Sequence, residues 1–321
     1  MKTALVLGSS GRFGRNMVNA LEARGWAVRG FRRGHDTLEN AARGVDVIVN
    51  SWNPPYHRWA REVPALHGQV QRVAKANGAT VLIPGNVYGF GNQTQMPWRE
   101  TTPQIASGGL GRIRMEMERA YEAEGVRTIV LRSGDFIDTE ASGNWMDKVI
   151  LRQVSKDKII WPGDPEVSHS WAFLPDVARA AVDLIEARDH LERFSVVHFP
   201  GYTLSGREIA NLATQAVGKP LALHRMSWLP IQLMRPFWPV ARHLIEMRYL
   251  WSLPHELASD RFDNLFPEFQ STPPEVALAA AVAAVSGSST STHTSPWRPA
   301  SGPVGQTMPE LRTVKLDAGS A

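Results

Sequence analysis

The chain has 321 residues, 43% of them hydrophobic and 21% charged, which is enough apolar material for a large core and excludes disorder of the chain as a whole. There is no cysteine, which rules out disulfides, thiol nucleophiles and cysteine-ligated metals and agrees with a cytoplasmic setting. The net charge of +4 arises from 35 basic and 31 acidic residues without a dense basic run. This mild excess fits an anionic small ligand as well as nucleic acid and decides little by itself; the expected partner is a small molecule, not nucleic acid.

Ala4 to Leu7 is a short continuous apolar run, as expected of a strand buried on both faces and too short for the core of a secretory signal. Gly8, Gly11 and Gly14 follow, and Phe13, Met17, Val18 and Leu21 recur at helical spacing. Strand, glycine turn and helix in that order is the context of a dinucleotide-binding turn. Gly8 lets the chain leave the strand sharply, Gly11 has no side chain to hold off a pyrophosphate, and Gly14 lets helix and sheet pack closely. Gly8, Ser10, Gly11, Arg12, Phe13 and Gly14 are therefore the expected cofactor contacts. The alternative is a strand-to-helix turn without a ligand.

Trp26 to Phe31 predicts a second strand, followed at once by Arg32 and Arg33. An acidic residue there would bond a ribose 2′-hydroxyl, whereas a basic one suits a 2′-phosphate. The expected cofactor is thus NADP, with NAD as the alternative; both arginines could equally be solvated surface charges. Val45 to Val49 predicts a third strand that delivers Asn50, Ser51 and Trp52 to its carboxyl end, where ligands of such sheets bind. Asn53-Pro54-Pro55-Tyr56 reads as a rigid loop over a substrate, and Trp59 to Ala76 as a helix bent at Pro64.

Thr80 to Ile83 is a further strand, leading to Asn86-Val87-Tyr88-Gly89. A helix from Leu110 to Glu124 carries Leu110, Ile113, Met117 and Tyr121 on one stripe, and the strand Thr128 to Arg132 leads into Ser133-Gly134-Asp135-Phe136. This repeated alternation predicts an α/β fold: a Rossmann-type doubly wound parallel sheet with a smaller C-terminal substrate lobe.

Beyond Phe136 the alternation loosens. Lys158 to Pro162 and Ser195 to Phe199 read as strands and Pro175 to Ala187 as a helix, while Ser205 with Glu208 forms a capping box opening a helix through Ala216. Trp228 to Leu253 is rich in Trp, Leu, Met and Pro, but Arg235, Arg242, Glu246, Arg248 and three prolines interrupt it, so it is not a membrane span. Cover for the lobe is the simpler reading; a segment lying on a membrane surface is the other. From Ser286 onward the composition turns to Ser, Thr, Gly and Pro, as in a disordered tail. The expected divisions are 1–135 for the cofactor core, with later segments returning to it, 136–285 for the lobe, and 286–321 for the tail.

These motifs resemble the short-chain dehydrogenase/reductase superfamily in its extended or atypical branch, the NAD-dependent epimerase/dehydratase-like proteins. The matching pieces are GSSGRFG at 8–14, DVIVNSW at 46–52, NVYG at 86–89, ETTP at 100–103, RSGDF at 132–136 and the run from Trp171 to Ala178. The resemblance implies a Rossmann core, a small substrate lobe, bound NAD(P), a small carbonyl or hydroxyl substrate, and pairing of the helices near 59–76 and 110–124 in a homodimer. The stripe on the second helix permits such pairing and would serve equally as core.

The family's proton relay is a Ser or Thr after a central strand and a Tyr-x-x-x-Lys on the next helix. Here Pro84-Gly85-Asn86 stands at the first place and Leu110-Gly111-Arg112-Ile113-Arg114 at the second. Leucine cannot transfer a proton, and Arg114 keeps a positive charge without replacing lysine freely. The remaining catalytic candidates are Tyr88, Asp135 and Arg114, with His169 a further residue that could face the crevice. Their ordinary alternatives are a packed aromatic, a turn cap and a satisfied packing histidine. No carboxylate-supported ligand spacing occurs among the ten histidines, so no metal is expected. The expected function is that of an NAD(P)-dependent oxidoreductase or epimerase-like enzyme; the alternative is a non-catalytic NADP-binding redox sensor or regulator.

Overall fold

The apolar runs become strands buried on both faces. In the computed structural model, which describes residues 1–32 and 34–287, β1 (Thr3–Leu7) is buried at every residue and runs through the Gly8 turn into α1 (Arg12–Ala23). There follow β2 (Ala27–Gly30), a short α2 (Leu38–Ala41), β3 (Val47–Asn50), α3 (Trp59–Asn77), β4 (Thr80–Gly85), α4 (Gly109–Ala123) and β5 (Thr128–Arg132).

Next come β6 (Asp135–Ile137), β7 (Lys158–Trp161), β8 (Ser168–Phe173), α5 (Leu174–Glu186), β9 (Phe194–His198), β10 (Tyr202–Ser205), α6 (Gly206–Val217) and β11 (Ala222–Arg225). The short helices α7 (Leu229–Leu233), α8 (Ala241–Glu246) and α9 (Asp260–Leu265) precede α10 (Pro274–Ser286).

The main sheet has six strands in the order β2-β1-β3-β4-β5-β9, all parallel, so the chain is doubly wound as its alternation predicts. Neighbouring residues of each strand point to opposite faces and build two cores. Leu5, Leu7, Ile48, Val81 and Ile83 pack under α3 and α4, while Ala4, Val6, Val49, Leu82 and Leu131 pack under α1 and α5. Pro84 is tolerated inside β4 because β3 pairs no further than Leu82, so its missing N–H interrupts no bond on that side.

A third core, with Trp161, Trp171, Ile209, Trp251 and Leu278, fills the lobe between β8 and the packed helices α6 and α10. There β10 runs antiparallel to β8, β6 runs parallel to it, and β7 pairs with β11. Because α5 and β9 return to the main sheet, the two halves are interleaved, and the described residues all fall within a single compact unit. The capping box at Ser205 is present in full.

Element ends shift by a residue or so from expectation, and the segment from Trp228 to Leu253 breaks into short turns of helix at its prolines. The stripe Leu110, Met117 and Tyr121 lies in this chain's own core, so that stripe is unavailable to a second copy. Arg33 and the expected tail from Ser288 on lie outside the described residues. Among the described residues no helix is long and apolar enough to cross a membrane.

Candidate functional site

A cleft of about 510 Å³ opens along the carboxyl ends of β1, β3, β4 and β5. One end is the glycine turn. Gly8 adopts φ of +76°, a left-handed conformation open to glycine at little cost. A methyl group on Gly14 would sit 2.1 Å from the Gly8 carbonyl oxygen, so the closeness of helix and strand depends on the bare backbone. The amino end of α1 has no side-chain cap and no acid in its first turn, leaving unpaired N–H groups and a positive dipole end facing the cleft. Arg12 adds a guanidinium there, held by a 2.8 Å bond from its Nη2 to the Gly143 carbonyl. This donor set suits a pyrophosphate, so the residues present fit a dinucleotide.

All the residues predicted for the turn, apart from being joined by lobe residues, line this cleft: Gly8, Ser10, Gly11, Arg12, Phe13 and Gly14. Asn50, Ser51 and Trp52 line it too, but with their polar atoms partly engaged. The Asn50 amide lies 3.2 Å from His67 Nδ1, and the Ser51 hydroxyl donates to the Leu7 carbonyl. Trp52 meets Phe31 edge-on at 5.5 Å, a firm aromatic wall at the end of β2. Arg32 is exposed at that end and is not part of the cleft lining.

The other end of the cleft collects the candidate proton-bearing groups. The hydroxyls of Tyr88 and Tyr56 are 2.8 Å apart. Tyr56 arrives from the Pro54-Pro55 loop, and no spacing in the sequence announces that it would meet Tyr88. Burial raises the pKa of both phenols, and each is further affected by the other and by the Asp135 charge, so they hold their protons across the ordinary pH range. Arg114 projects from α4 into the cleft, donates to the Pro84 carbonyl and stacks over Trp59 at 5.6 Å. Burial lowers its pKa, with Glu118 opposing. Leu110 is fully buried and apolar, so position 110 offers the cleft no proton donor.

Asp135 lines the cleft opposite and accepts or shares a proton at 2.7 Å with His169 Nε2. His169 itself is 2% exposed and sandwiched against Trp251 at 4.4 Å, so it stands behind Asp135 and is not part of the cleft lining. The Ser133 hydroxyl, which sequence reasoning did not single out, also lines the cleft and is buried without a hydrogen-bond partner among the described residues. Beneath these groups Arg132 and Glu118 form a buried ion pair at 2.7 Å, and Arg132 also holds the Asn86 carbonyl.

A second chamber of about 870 Å³ adjoins the cleft and shares Arg12, Asn53, Tyr56, Asn144 and Trp145 with it. Its walls come mainly from the lobe, with apolar Ile160, Ile231 and Leu244 and the cations Lys148 and Arg152.

No protein-family model matches the sequence, and no curated protein does. Solved structures do share its fold. UDP-N-acetylglucosamine 4-epimerase from Bacillus cereus superposes with a TM-score of 0.69 at 13% identity, covering 89% of this chain and 97% of that one. The Bordetella bronchiseptica enzyme WbmH in complex with NAD+ gives 0.65 at 18% identity, covering 88% and 98%. UDP-glucose 4-epimerase from Bifidobacterium longum, in complex with NAD+ and UDP, gives 0.66 at 14% identity, covering 90% and 99%. The fold of this chain is therefore the Rossmann-type fold of the sugar-nucleotide epimerases, carried over nearly its whole length.

Proposed function

We propose that the chain is an NAD(P)-dependent oxidoreductase or epimerase-like enzyme acting on a small carbonyl or hydroxyl compound. The observation that carries this reading is one continuous cleft, running from the uncapped helix end at Gly11 to the cluster of Tyr56, Tyr88, Arg114 and Asp135. Residues 1–135, with α5 and β9, form the cofactor half and the lobe the substrate half. Arg32 and Arg33, following β2 with no acid beside them, support NADP over NAD, although Arg32 stands outside the cleft lining.

A nicotinamide dinucleotide, when bound, supplies the gain or loss of a hydride equivalent. The chain's own residues do the rest. The amino end of α1 and Arg12 would hold its diphosphate. The paired phenols keep one proton between them and one to give, so one hydroxyl donates to the substrate oxygen as negative charge develops on it. Arg114, buried beside them, stabilises that charge. Asp135, backed by His169, is placed to take a proton from the opposite side. These groups favour catalysis over a silent regulatory role, because a purely binding protein would have no use for proton-bearing side chains converging past the cofactor.

Calorimetric titration with NADP+, NADPH, NAD+ and NADH, followed by a cofactor-consumption screen over aldehydes, ketones and nucleotide sugars, tests the proposal. Binding with turnover of one substrate class supports it. Failure of every nucleotide to bind overturns it, and tight binding without any turnover would favour the redox sensor. A homodimer would have to use faces of α3 and α4 other than the buried stripe.

A further inference from the structure

The segment from Leu229 to Trp238 presents large apolar side chains to solvent. Phe237 is 81% exposed, Leu233 67%, Leu229 59%, Met234 46% and Trp238 40%, a concentration that soluble surfaces do not ordinarily carry. Its backbone needs little from water. The N–H groups of Gln232, Met234, Arg235, Phe237 and Trp238 all bond to carbonyls within Trp228–Met234, and Pro236 has none to satisfy. The exposed charges in and after it are Arg235, Arg242 and Arg248, none in an ion pair with another of the described residues, Arg248 lying over the Trp228 ring at 5.5 Å. Glu246, the one acid of this stretch, is turned inward and accepts from the Leu110 N–H at 2.9 Å.

Trp238 also lines the second chamber, beside Val240 and Leu244, and the cations Lys148 and Arg152 belong to the same lining. The apolar patch is thus continuous with the mouth of that chamber.

We propose that residues 229–242 dock the protein on an anionic lipid bilayer, with Leu233, Phe237 and Trp238 entering the interface and the chamber opening toward the lipid. Internally bonded backbone, bulky apolar and aromatic side chains, and unpaired arginines around them are what an interfacial anchor requires. A self-complementary interface with a second copy would leave the arginines facing like charge, which is why the bilayer is the occupant the charges favour.

The test is vesicle sedimentation of the full chain, without cofactor or substrate, so that its outcome is separate from that of the enzymatic proposal. Sedimentation with phosphatidylcholine–phosphatidylglycerol vesicles is expected, weakening with salt and with phosphatidylcholine alone. Leu233→Ser with Phe237→Ser should lower the binding constant by roughly 10- to 100-fold while leaving the melting temperature unchanged, since both side chains are exposed. Arg235→Glu with Arg242→Glu should abolish the preference for anionic lipid. Quenching of tryptophan fluorescence by acyl-brominated lipid should largely disappear in Trp238→Phe. The proposal is overturned if the protein stays in the supernatant with anionic vesicles, or if the Ser double variant sediments undiminished. It is equally overturned if light scattering finds a dimer that the Ser double variant dissociates.

Discussion

The hydroxyl oxygens of Tyr56 and Tyr88 lie 2.8 Å apart on the wall of the cleft, brought together from the loop after β3 and the turn after β4. One of the two protons is committed to the partner oxygen. The other is free to be given.

Replacing the donating phenol should therefore remove a proton transfer and leave the cofactor end untouched. For Tyr88→Phe and Tyr56→Phe measured separately, one variant is expected to lose on the order of 100- to 10,000-fold in kcat, with cofactor affinity unchanged. The other should lose much less. Equal, small losses in both would remove the pair from the mechanism.

Asp135→Asn keeps the shape of the side chain but removes its charge and its capacity as a base. Turnover should fall by about 100-fold or more with cofactor affinity unchanged. His169→Gln, which alters only the group held against Asp135 at 2.7 Å, should lower kcat by less and leave KM unchanged, as expected of a positioning residue. Identical losses in the two variants would reduce the pair to a structural contact.

Gly14→Ala would set a methyl group 2.1 Å from the Gly8 carbonyl oxygen. The helix must move off the strand, at a cost of about 1–3 kcal/mol by the usual scale of overpacking. The expected result is a lower melting temperature together with loss of the thermal shift on adding NADP+. An unshifted melt that still responds to NADP+ would show that the turn tolerates the extra atom.

Burial alone would raise the Glu118 pKa, but the Arg132 guanidinium at 2.7 Å outweighs it and holds the carboxyl below its usual range. Its contribution to stability is present above the unfolded carboxylate pKa and is lost as pH falls through the lowered folded value. Glu118→Gln leaves Arg132 charged and buried, and unfolding by urea should reveal a loss of about 3–5 kcal/mol. The double variant Glu118→Leu with Arg132→Met should recover much of that loss.

Burial also depresses His67, His198 and His255 to about 3, with Arg114, Arg132 and His169 respectively adding to the effect. Below about pH 6.5 the unfolded chain takes up protons that the folded chain refuses, so stability falls as pH drops toward 3. Each histidine contributes a slope of about 1.4 kcal/mol per pH unit, hence about 2 kcal/mol lost between pH 6.5 and pH 5. Urea midpoints should decline steeply over that interval, with a smaller decline in His67→Gln. A flat midpoint from pH 7 to pH 5 would contradict the neutral, buried state of these rings.

The sequence by itself determined the sheet, the glycine turn and the absence of a proton donor at position 110, because each is written in local chemistry. Continuous apolar runs can only be buried, glycine alone removes a Cβ, and leucine has no proton to give. The tertiary structure decided what converges. Tyr56 with Tyr88, and His169 behind Asp135, come from separate elements, and no local spacing encodes such meetings, nor the burial of the Ser133 hydroxyl without a partner among the described residues. Arg114 and Leu110 sit four positions apart on the same helix, yet one enters the cleft and the other the core. Periodicity places both on one stripe; only the packing of α4 against the sheet separates them. So too for the arginines and the exposed Phe237, whose composition permits cover or anchor alike: the fold is what leaves them facing outward, because the lobe's core is already filled by tryptophans.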